Sequence, residues 1–149
     1  MGGKATAKKD LGAIAMNYPN VYVASISLGA NPIQAIKAFK EAEAHNGPSI
    51  IIAYAPCINH GINMSNSNLE MKRAVDSGYW FLYRRNPNNE KPFTLDSNPP
   101  SLSYEQFLLG ETRFSALVKT NPEIAKELFE KSKNDAIKRY TYLKNKVEN

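Results

Sequence analysis

A short run of β-branched residues constrains the fold of this chain more than any other feature. Ile50–Ile52 follow Gly47-Pro48 and are closed by Pro56. The run is too short and too continuously apolar for an amphipathic helix, and it is typical of a strand buried on both faces. We therefore predict an interior strand of a parallel sheet over Ser49–Tyr54.

A second strand and a helix precede this run and define a βαβ unit. Val21–Ser27 is β-branched and aromatic, and Asn31-Pro32 supplies a helix cap followed by proline at the first helical position. The helix is expected to end near His45, so about twenty residues separate the two strands. Such a crossover makes the strands parallel and places their carboxyl ends at one edge of the sheet, where ligands of open α/β sheets bind.

The remaining segments complete an α/β chain with a helical C-terminal region. Tyr79–Arg84 is aromatic enough for a third strand, which we expect to be parallel, and Pro92–Asp96 for a short antiparallel edge strand. Helices are expected over five further segments: 8–17, 69–76, 104–109, 113–119 and from Pro122 onward. The sequence thus predicts one domain over 1–149, with a sheet core at about 10–96 and a helical tail at about 103–147.

Helical spacing also predicts which side chains each helix buries. Large apolar residues recur on one side of three helices and are expected to face the core. They are Leu11, Ile14 and Ala15 in the first helix; Ile36, Phe39 and Ala42, with Ile33 and Ala35 alongside, in the second; and Ile124, Leu128, Ala136, Tyr140, Leu143 and Val147 in the last. In that last helix the pairs Glu127 with Lys131 and Asp135 with Arg139 are expected at i,i+4.

Charge and composition exclude several function classes. The net charge is +5 and the sequence pI is near 9.3, but the basic residues are scattered among acids, so no nucleic-acid surface is expected. No apolar run approaches the ~20 residues of a membrane span, and no signal-type apolar core follows Met1. The single cysteine agrees with a reducing compartment, so a cytoplasmic protein is expected.

That cysteine, Cys57, follows the central strand and forms Cys-x-x-His with His60. Three interpretations are open from the residues alone. Cys57 is a nucleophile with His60 as its base, which requires a third group that the sequence does not name. It is a zinc ligand, which the four-ligand requirement and the distant His45 disfavour. Or it is a small buried apolar side chain, as most free cysteines are.

Long strings of residues resemble one family. They are Tyr22–Asn31, Glu41–Glu43, Gly47–Ile62, Asn68–Trp80, Pro92–Ser97, Asn121–Glu123 and Leu128–Glu130, and they closely resemble the last part of pyruvate:ferredoxin (flavodoxin) oxidoreductase. Lys4–Asp10 resembles a linker that lies within that enzyme. The resemblance covers nearly the whole chain, and strings of this length are far more specific than a spaced motif.

The resemblance implies the C-terminal part of a thiamine-diphosphate-binding domain. That family decarboxylates pyruvate oxidatively with thiamine diphosphate and magnesium, forms acetyl-CoA and passes electrons through [4Fe-4S] clusters to ferredoxin or flavodoxin. By the same resemblance, Cys57 is a ligand of the cluster next to the thiamine, and Asn59 and His60 lie in its second shell. A homodimer is expected of the complete enzyme.

The family's Gly-Asp-Gly and Ser-Asn-Thr-Gly-Gly-Gln segments, which hold magnesium and diphosphate, and its other cluster cysteines are missing here. We therefore assign no catalytic residue to this chain, and we expect a split subunit, a gene remnant or an excised fragment that works beside the remaining portion of the oxidoreductase. The alternative is a binding or scaffold module that kept the fold. We expect the isolated chain to bind no thiamine diphosphate tightly, to expose Cys57, and to leave an apolar sheet edge uncovered.

Overall fold

The structure is a computed structural model that describes residues 6 and 9–148 of the 149-residue chain. The resemblance of Lys4–Asp10 to a linker therefore lies mostly outside the described residues. The described residues form four strands and six α-helices, in this order: α1 Leu11–Met16, β1 Tyr22–Ile26, α2 Pro32–Ala44, β2 Ser49–Ala53, α3 Ser67–Asp76, β3 Tyr83–Arg85, β4 Phe93–Leu95, α4 Tyr104–Gly110, α5 Thr112–Thr120 and α6 Pro122–Glu148.

The strands form one mixed sheet in the order β2-β1-β3-β4. β1 and β2 are parallel, with Ala24 opposite Ile51, and α2 is the crossover between them. β3 pairs with β1 in the antiparallel sense, and β4 pairs back on β3 in the same way. The predicted α/β class, the parallel βαβ unit, the short antiparallel edge and the helical C-terminal region are confirmed, and the architecture is consistent with part of a thiamine-diphosphate-binding fold.

Two predictions about the strands are wrong. β2 lies at the edge of the sheet, and its residues are half-buried or exposed, so it is not an interior strand buried on both faces. The third strand begins only at Tyr83 and runs antiparallel to β1. The aromatic residues before it leave the sheet because their rings fill the core elsewhere, and the indole Nε1 of Trp80 donates to the carbonyl oxygen of Ile26 at 3.0 Å.

One face of the sheet is covered by α2. Asn31 caps this helix by accepting from the backbone N–H of Gln34 at 3.0 Å, and Pro32 occupies its first turn as predicted. The buried residues are Gln34, Ala35 and Ala38, whose small or polar side chains let the helix lie close to Tyr22, Ala24 and Ile26. The predicted face is therefore wrong for the large residues Ile33, Ile36 and Phe39, which are exposed.

The other face of the sheet is covered by α1 and α6. Ala15 and Leu143 pack there with Val23, Tyr83 and Phe93. α1 contacts β1 and α6 contacts β4. In α1 only the Ala15 prediction holds, because Leu11 and Ile14 are exposed.

In α6 the predicted stripe is only partly confirmed. Leu143 is buried and Tyr140 is partly buried, but Ile124 and Val147 are exposed, and at the start of the helix Ala125 is buried in place of Ile124. Arg139, which was expected to pair with Asp135, forms an ion pair with Asp10 at 3.3 Å. No helix in the part of the chain that the structure describes is long and apolar enough to cross a membrane.

A buried polar network ties α2 to the sheet. Arg84 donates from Nε and Nη2 to the two carboxylate oxygens of Asp96, each at 2.9 Å, and from Nη1 to Glu41. Gln34 donates to Asp96 at 3.0 Å, and the Tyr22 hydroxyl donates to Glu41 at 3.0 Å. This bidentate geometry satisfies the guanidinium, which is nearly excluded from water, and fixes the helix on the β3 side of the sheet.

Candidate functional site

The segment that follows β2, residues 54–61, forms an ordered loop at the carboxyl end of the parallel pair, which we call the Cys57 loop. Tyr54 and Pro56 are buried, whereas Cys57 is exposed. Ile58–His60 form a single 3-10 turn, in which the backbone N–H of His60 donates to the carbonyl oxygen of Cys57 at 2.9 Å. The exposure of Cys57 confirms the predicted accessibility of its thiol and excludes a buried structural cysteine.

Gly61 ends this loop and requires glycine for two reasons. Its φ is 71°, in the left-handed region that other residues rarely adopt. A Cβ at this position would also lie 2.2 Å from Cβ of Thr112, while the Thr112 hydroxyl donates to the carbonyl oxygen of Gly61 at 3.0 Å. Thr112, the first residue of α5, therefore holds the end of the Cys57 loop through this hydrogen bond.

Glu111, between α4 and α5, is the buried charged group of this region. Its side chain is fully excluded from solvent and accepts hydrogen bonds from Arg113 Nε and, at 3.3 Å, from the Tyr54 hydroxyl. Nδ1 of His60 lies 3.6 Å from Glu111 Oε1. One carboxylate thus lies close to residues on both sides of Cys57, with a hydrogen bond from Tyr54 before it and His60 nearby after it.

The electrostatics of this cluster follow from its burial. Burial, followed by the nearby charge of Glu111, raises the pKa of Tyr54 well above its usual value, so its hydroxyl stays a donor. Burial is the largest single effect and lowers the pKa of Arg113, but the hydrogen bond to Glu111 and the nearby acidic groups together outweigh it, so the pKa is raised. Burial also raises the pKa of Glu70, with Arg73 opposing and Glu111 adding to the shift. The neutral phenol and the charged guanidinium are thus the stable states.

Aromatic rings pack around the cluster formed by Tyr54, Glu111 and Arg113. The Tyr79 ring lies 4.9 Å from that of Phe107 and 6.1 Å from that of Tyr54, measured between centroids. The guanidinium of Arg113 lies 4.5 Å from the centroid of Phe114, a cation–π distance. These contacts pack aromatic rings around Tyr54 and Arg113, the two side chains that hydrogen-bond to Glu111.

The metal-binding side chains of this chain decide which kind of metal site it can form. Among residues 6 and 9–148, no three histidine, cysteine or acidic side chains are grouped to bind a metal ion. His45 Nε2 lies 2.9 Å from the carbonyl oxygen of Asn20, at the opposite end of the parallel strands from Cys57. Cys57 is the one thiol of the sequence, so these residues fit a single outlying ligand of a shared cluster and do not fit a complete site.

The structure places the predicted residues Asn59 and His60 in the single turn after Cys57. Asn59 is exposed, and His60 is half-buried against Glu111. Sequence reasoning missed Glu111, Thr112 and Arg113, more than fifty residues away along the chain. The only local signal was an acid at a break between two apolar helical segments, after Gly110 and before Phe114.

Comparison with known proteins gives closely similar sequences over nearly the whole chain. Pyruvate:ferredoxin oxidoreductase of Moorella thermoacetica is 52% identical over 151 residues, covering 99% of this chain and 13% of that protein. Pyruvate-flavodoxin oxidoreductase of Klebsiella pneumoniae is 51% identical over 144 residues, covering 93% and 12%. Pyruvate dehydrogenase [NADP(+)] of Cryptosporidium parvum is 44% identical over 161 residues, covering 99% and 8%. No family model matches the chain.

These similarities have one consistent feature. The chain spans about an eighth or less of the length of the curated relatives it matches. It is therefore the counterpart of one segment of a much larger polypeptide. By that homology, the chain belongs to the family of the pyruvate:ferredoxin and pyruvate-flavodoxin oxidoreductases.

Proposed function

We propose that this chain works as one portion of a pyruvate:ferredoxin or pyruvate-flavodoxin oxidoreductase, in which Cys57 supplies one thiolate to a [4Fe-4S] cluster. The observation that carries the proposal is the exposed thiol of Cys57 in an ordered loop at the carboxyl end of the parallel strands. The identity of about half to relatives with oxidoreductase names supports it. The other cluster ligands would come from the remaining portion of the enzyme.

The role of this chain in that enzyme is to hold the thiol in place. When bound, a [4Fe-4S] cluster supplies one-electron transfer between a donor and an acceptor. Glu111 holds Tyr54 before Cys57 and lies beside His60 after it, while Thr112 holds Gly61. These contacts limit the positions that the thiol can take, which is what a distant ligand of a shared site needs. In the complete enzyme, Asn59 and His60 would supply hydrogen bonds in the second shell of the cluster.

The same proposal extends to the rest of the enzyme. The complete protein would decarboxylate pyruvate with thiamine diphosphate and magnesium, form acetyl-CoA and pass electrons to ferredoxin or flavodoxin. It would act in the cytoplasm as a homodimer, with this chain as the C-terminal part of a thiamine-diphosphate-binding domain. Because the chain lacks the family's Gly-Asp-Gly segment, the isolated chain would neither oxidise pyruvate nor bind thiamine diphosphate tightly.

A chimera tests this function. The matched segment of the Moorella thermoacetica oxidoreductase is replaced by this chain, and pyruvate-dependent reduction of ferredoxin is measured beside the unaltered relative. We expect activity from the chimera and none from the isolated 149-residue chain. A folded chimera without activity contradicts the proposed function. So does calorimetry that shows tight one-to-one binding of thiamine diphosphate to the isolated chain.

A further inference from the structure

Strand β2 leaves one side of the parallel pair without a partner. The backbone N–H and C=O groups of successive residues point alternately towards and away from β1. The Pro48 carbonyl accepts from the Tyr22 N–H, and the Tyr54 N–H donates to the Ile26 carbonyl, so the backbone groups of the even-numbered residues face β1. The N–H and C=O groups of Ile51 and Ala53 therefore point away from the sheet. Within residues 6 and 9–148, β1 is the only strand that pairs with β2, and the Ser49 hydroxyl donates to the carbonyl oxygen of Ala42 in α2. The strand reads Ser-Ile-Ile-Ile-Ala, without the charge or proline that natural edges use against pairing.

Apolar side chains flank this edge on the α2 face. One side of α2 faces β3, because Glu41 there bonds to Arg84. Phe39 lies on the opposite side, one turn after Ala35 and towards β2, and its side chain is 56% exposed. Ile36 is 55% exposed on the adjoining outer surface. An exposed phenylalanine beside an unpaired apolar strand is unusual for a solvent-facing surface.

Apolar side chains also flank the edge on the opposite face. α6 contacts β4 and α1 contacts β1, and on the β2 side of that face Ile50 is only partly buried against the core. Gly12 and Met16 mark the side of α1 that faces β3 and β4, since a Cβ at Gly12 would meet the Tyr83 hydroxyl and Met16 lines a cavity with Phe93. Leu11 and Ile14 lie on the other side of the helix and are exposed.

We infer that this surface, formed by the outer edge of β2 with Phe39 and Ile36 on one face and Leu11 and Ile14 on the other, is where the rest of the oxidoreductase docks. The docked segment is a β-strand that accepts hydrogen bonds from the N–H groups of Ile51 and Ala53 and packs alternate apolar side chains above and below the sheet. The inference rests on the proposed function. The docked strand would come from the portion of the oxidoreductase that this chain does not match, which makes up some seven-eighths of the length of the relatives.

Hydrogen exchange tests the docking directly. It is followed at the backbone amides of Ser49–Ala53 in the isolated chain and in the chimera with the Moorella thermoacetica relative. In the isolated chain, we expect slow exchange at Ile50 and Ile52 and fast exchange at Ile51 and Ala53. In the chimera, exchange at Ile51 and Ala53 should slow by at least about tenfold, as for other hydrogen-bonded strand amides. Fast exchange at Ile51 and Ala53 in a folded chimera overturns the inference.

Two substitutions on one helix separate docking from folding. Phe39→Glu places a charge beside β2, whereas Ile33→Glu is its matched control, because Ile33 is 78% exposed on the opposite side of α2, one turn before Lys37. Both should leave the isolated chain's stability within about 0.5 kcal/mol. In the chimera, Phe39→Glu should lower the melting temperature and speed exchange at Ile51, and Ile33→Glu should do neither. Equal effects of the two substitutions contradict the inference.

Other outcomes of these experiments also test the docking inference and the proposed function. Exchange at Ile51 that slows with rising concentration of the isolated chain identifies a second copy as the occupant and overturns the inference. A chimera that fails to fold where the unaltered relative folds shows that this surface does not fit. A chimera with protected Ile51 but without activity contradicts only the proposed function, and an active chimera with fast exchange at Ile51 contradicts only the docking.

Discussion

Replacing Glu111 by glutamine is expected to weaken the fold and loosen the Cys57 loop together. The carboxylate of Glu111 is fully buried, pairs with Arg113 and accepts from the Tyr54 hydroxyl at 3.3 Å. Glutamine keeps the shape and one acceptor oxygen but removes the charge. Arg113 then faces an amide in a partly desolvated site, and His60 loses the carboxylate that lies 3.6 Å away.

The size of the effect follows from these contacts. A hydrogen bond to a charged group contributes about 1.5–3 kcal/mol. Because the Arg113 side chain is 25% exposed and can turn to water, we expect the lower end, about 1.5 kcal/mol, for Glu111→Gln. In a chain of this size that corresponds to a fall in melting temperature of roughly 3–6 °C. Glu111→Ala also leaves the Tyr54 hydroxyl unpaired and should cost about 3–5 kcal/mol, as breaking a buried pair does.

Thermal unfolding and hydrogen exchange at the His60 amide check this prediction. Glu43→Gln is the matched control, because Glu43 is exposed in the last turn of α2. We expect the control to change stability by less than about 0.5 kcal/mol. If Glu111→Gln melts like the original chain, the carboxylate contributes nothing to stability. If it melts earlier with unchanged exchange at His60, then Glu111 joins the two helices without holding the Cys57 loop.

Three further predictions follow from single residues. Gly61→Ala should cost at least about 2 kcal/mol in urea unfolding, because alanine is strained at a φ of 71° and would collide with Thr112; an unchanged midpoint contradicts this. Arg84→Lys should cost about 2–3 kcal/mol, since lysine cannot make both bonds to Asp96; a loss below 0.5 kcal/mol, on the order of a surface change, would refute the role of the bidentate pair. Burial raises the pKa of Tyr83 to about 12. Folding therefore favours its neutral phenol, so its contribution to stability is complete below pH ~10, the unfolded value, and is lost as pH rises through 12. Titration of tyrosine absorbance that shows Tyr83 ionising near pH ~10 in the folded chain would contradict it.

The local chemistry of the chain predicts most of its elements. Asn31 and Pro32 define the start of α2 as predicted, and Gly78, with a φ of 76°, follows the end of α3. β1 and β2 are predicted within two residues, because β-branched runs between proline and glycine leave few alternatives. These signals are short-range, so they do not depend on what the rest of the molecule does.

Predictions that depend on distant partners fail. The large apolar residues of α2 were assigned to the core, yet Ala35 and Ala38 pack there, because a helix crossing two adjacent strands closely needs small side chains. β2 was assigned to the interior because its run is continuously apolar, and it lies at the edge. Both departures leave apolar side chains, among them Phe39, exposed or half-buried beside the β2 edge.

The functional site likewise contains residues that the local sequence predicts and one that depends on distant partners. Cys57 and His60 are visible in the sequence as a Cys-x-x-His pair after a strand. Glu111 is not, because it meets His60 only after α4 and α5 have packed on the aromatic residues around Tyr79. A lone acid between two helices carries no pattern that would connect it with a loop fifty residues earlier.

Iron content and electron paramagnetic resonance of the chimera test the central claim most directly. The measurement compares the chimera with its Cys57→Ser variant, and with Ser65→Ala as a control in the neighbouring exposed turn. We expect that Cys57→Ser loses about four iron atoms per polypeptide, or shows an altered signal for one cluster, while Ser65→Ala does neither. Full iron content and an unchanged spectrum in Cys57→Ser would show that this thiol is not an iron ligand.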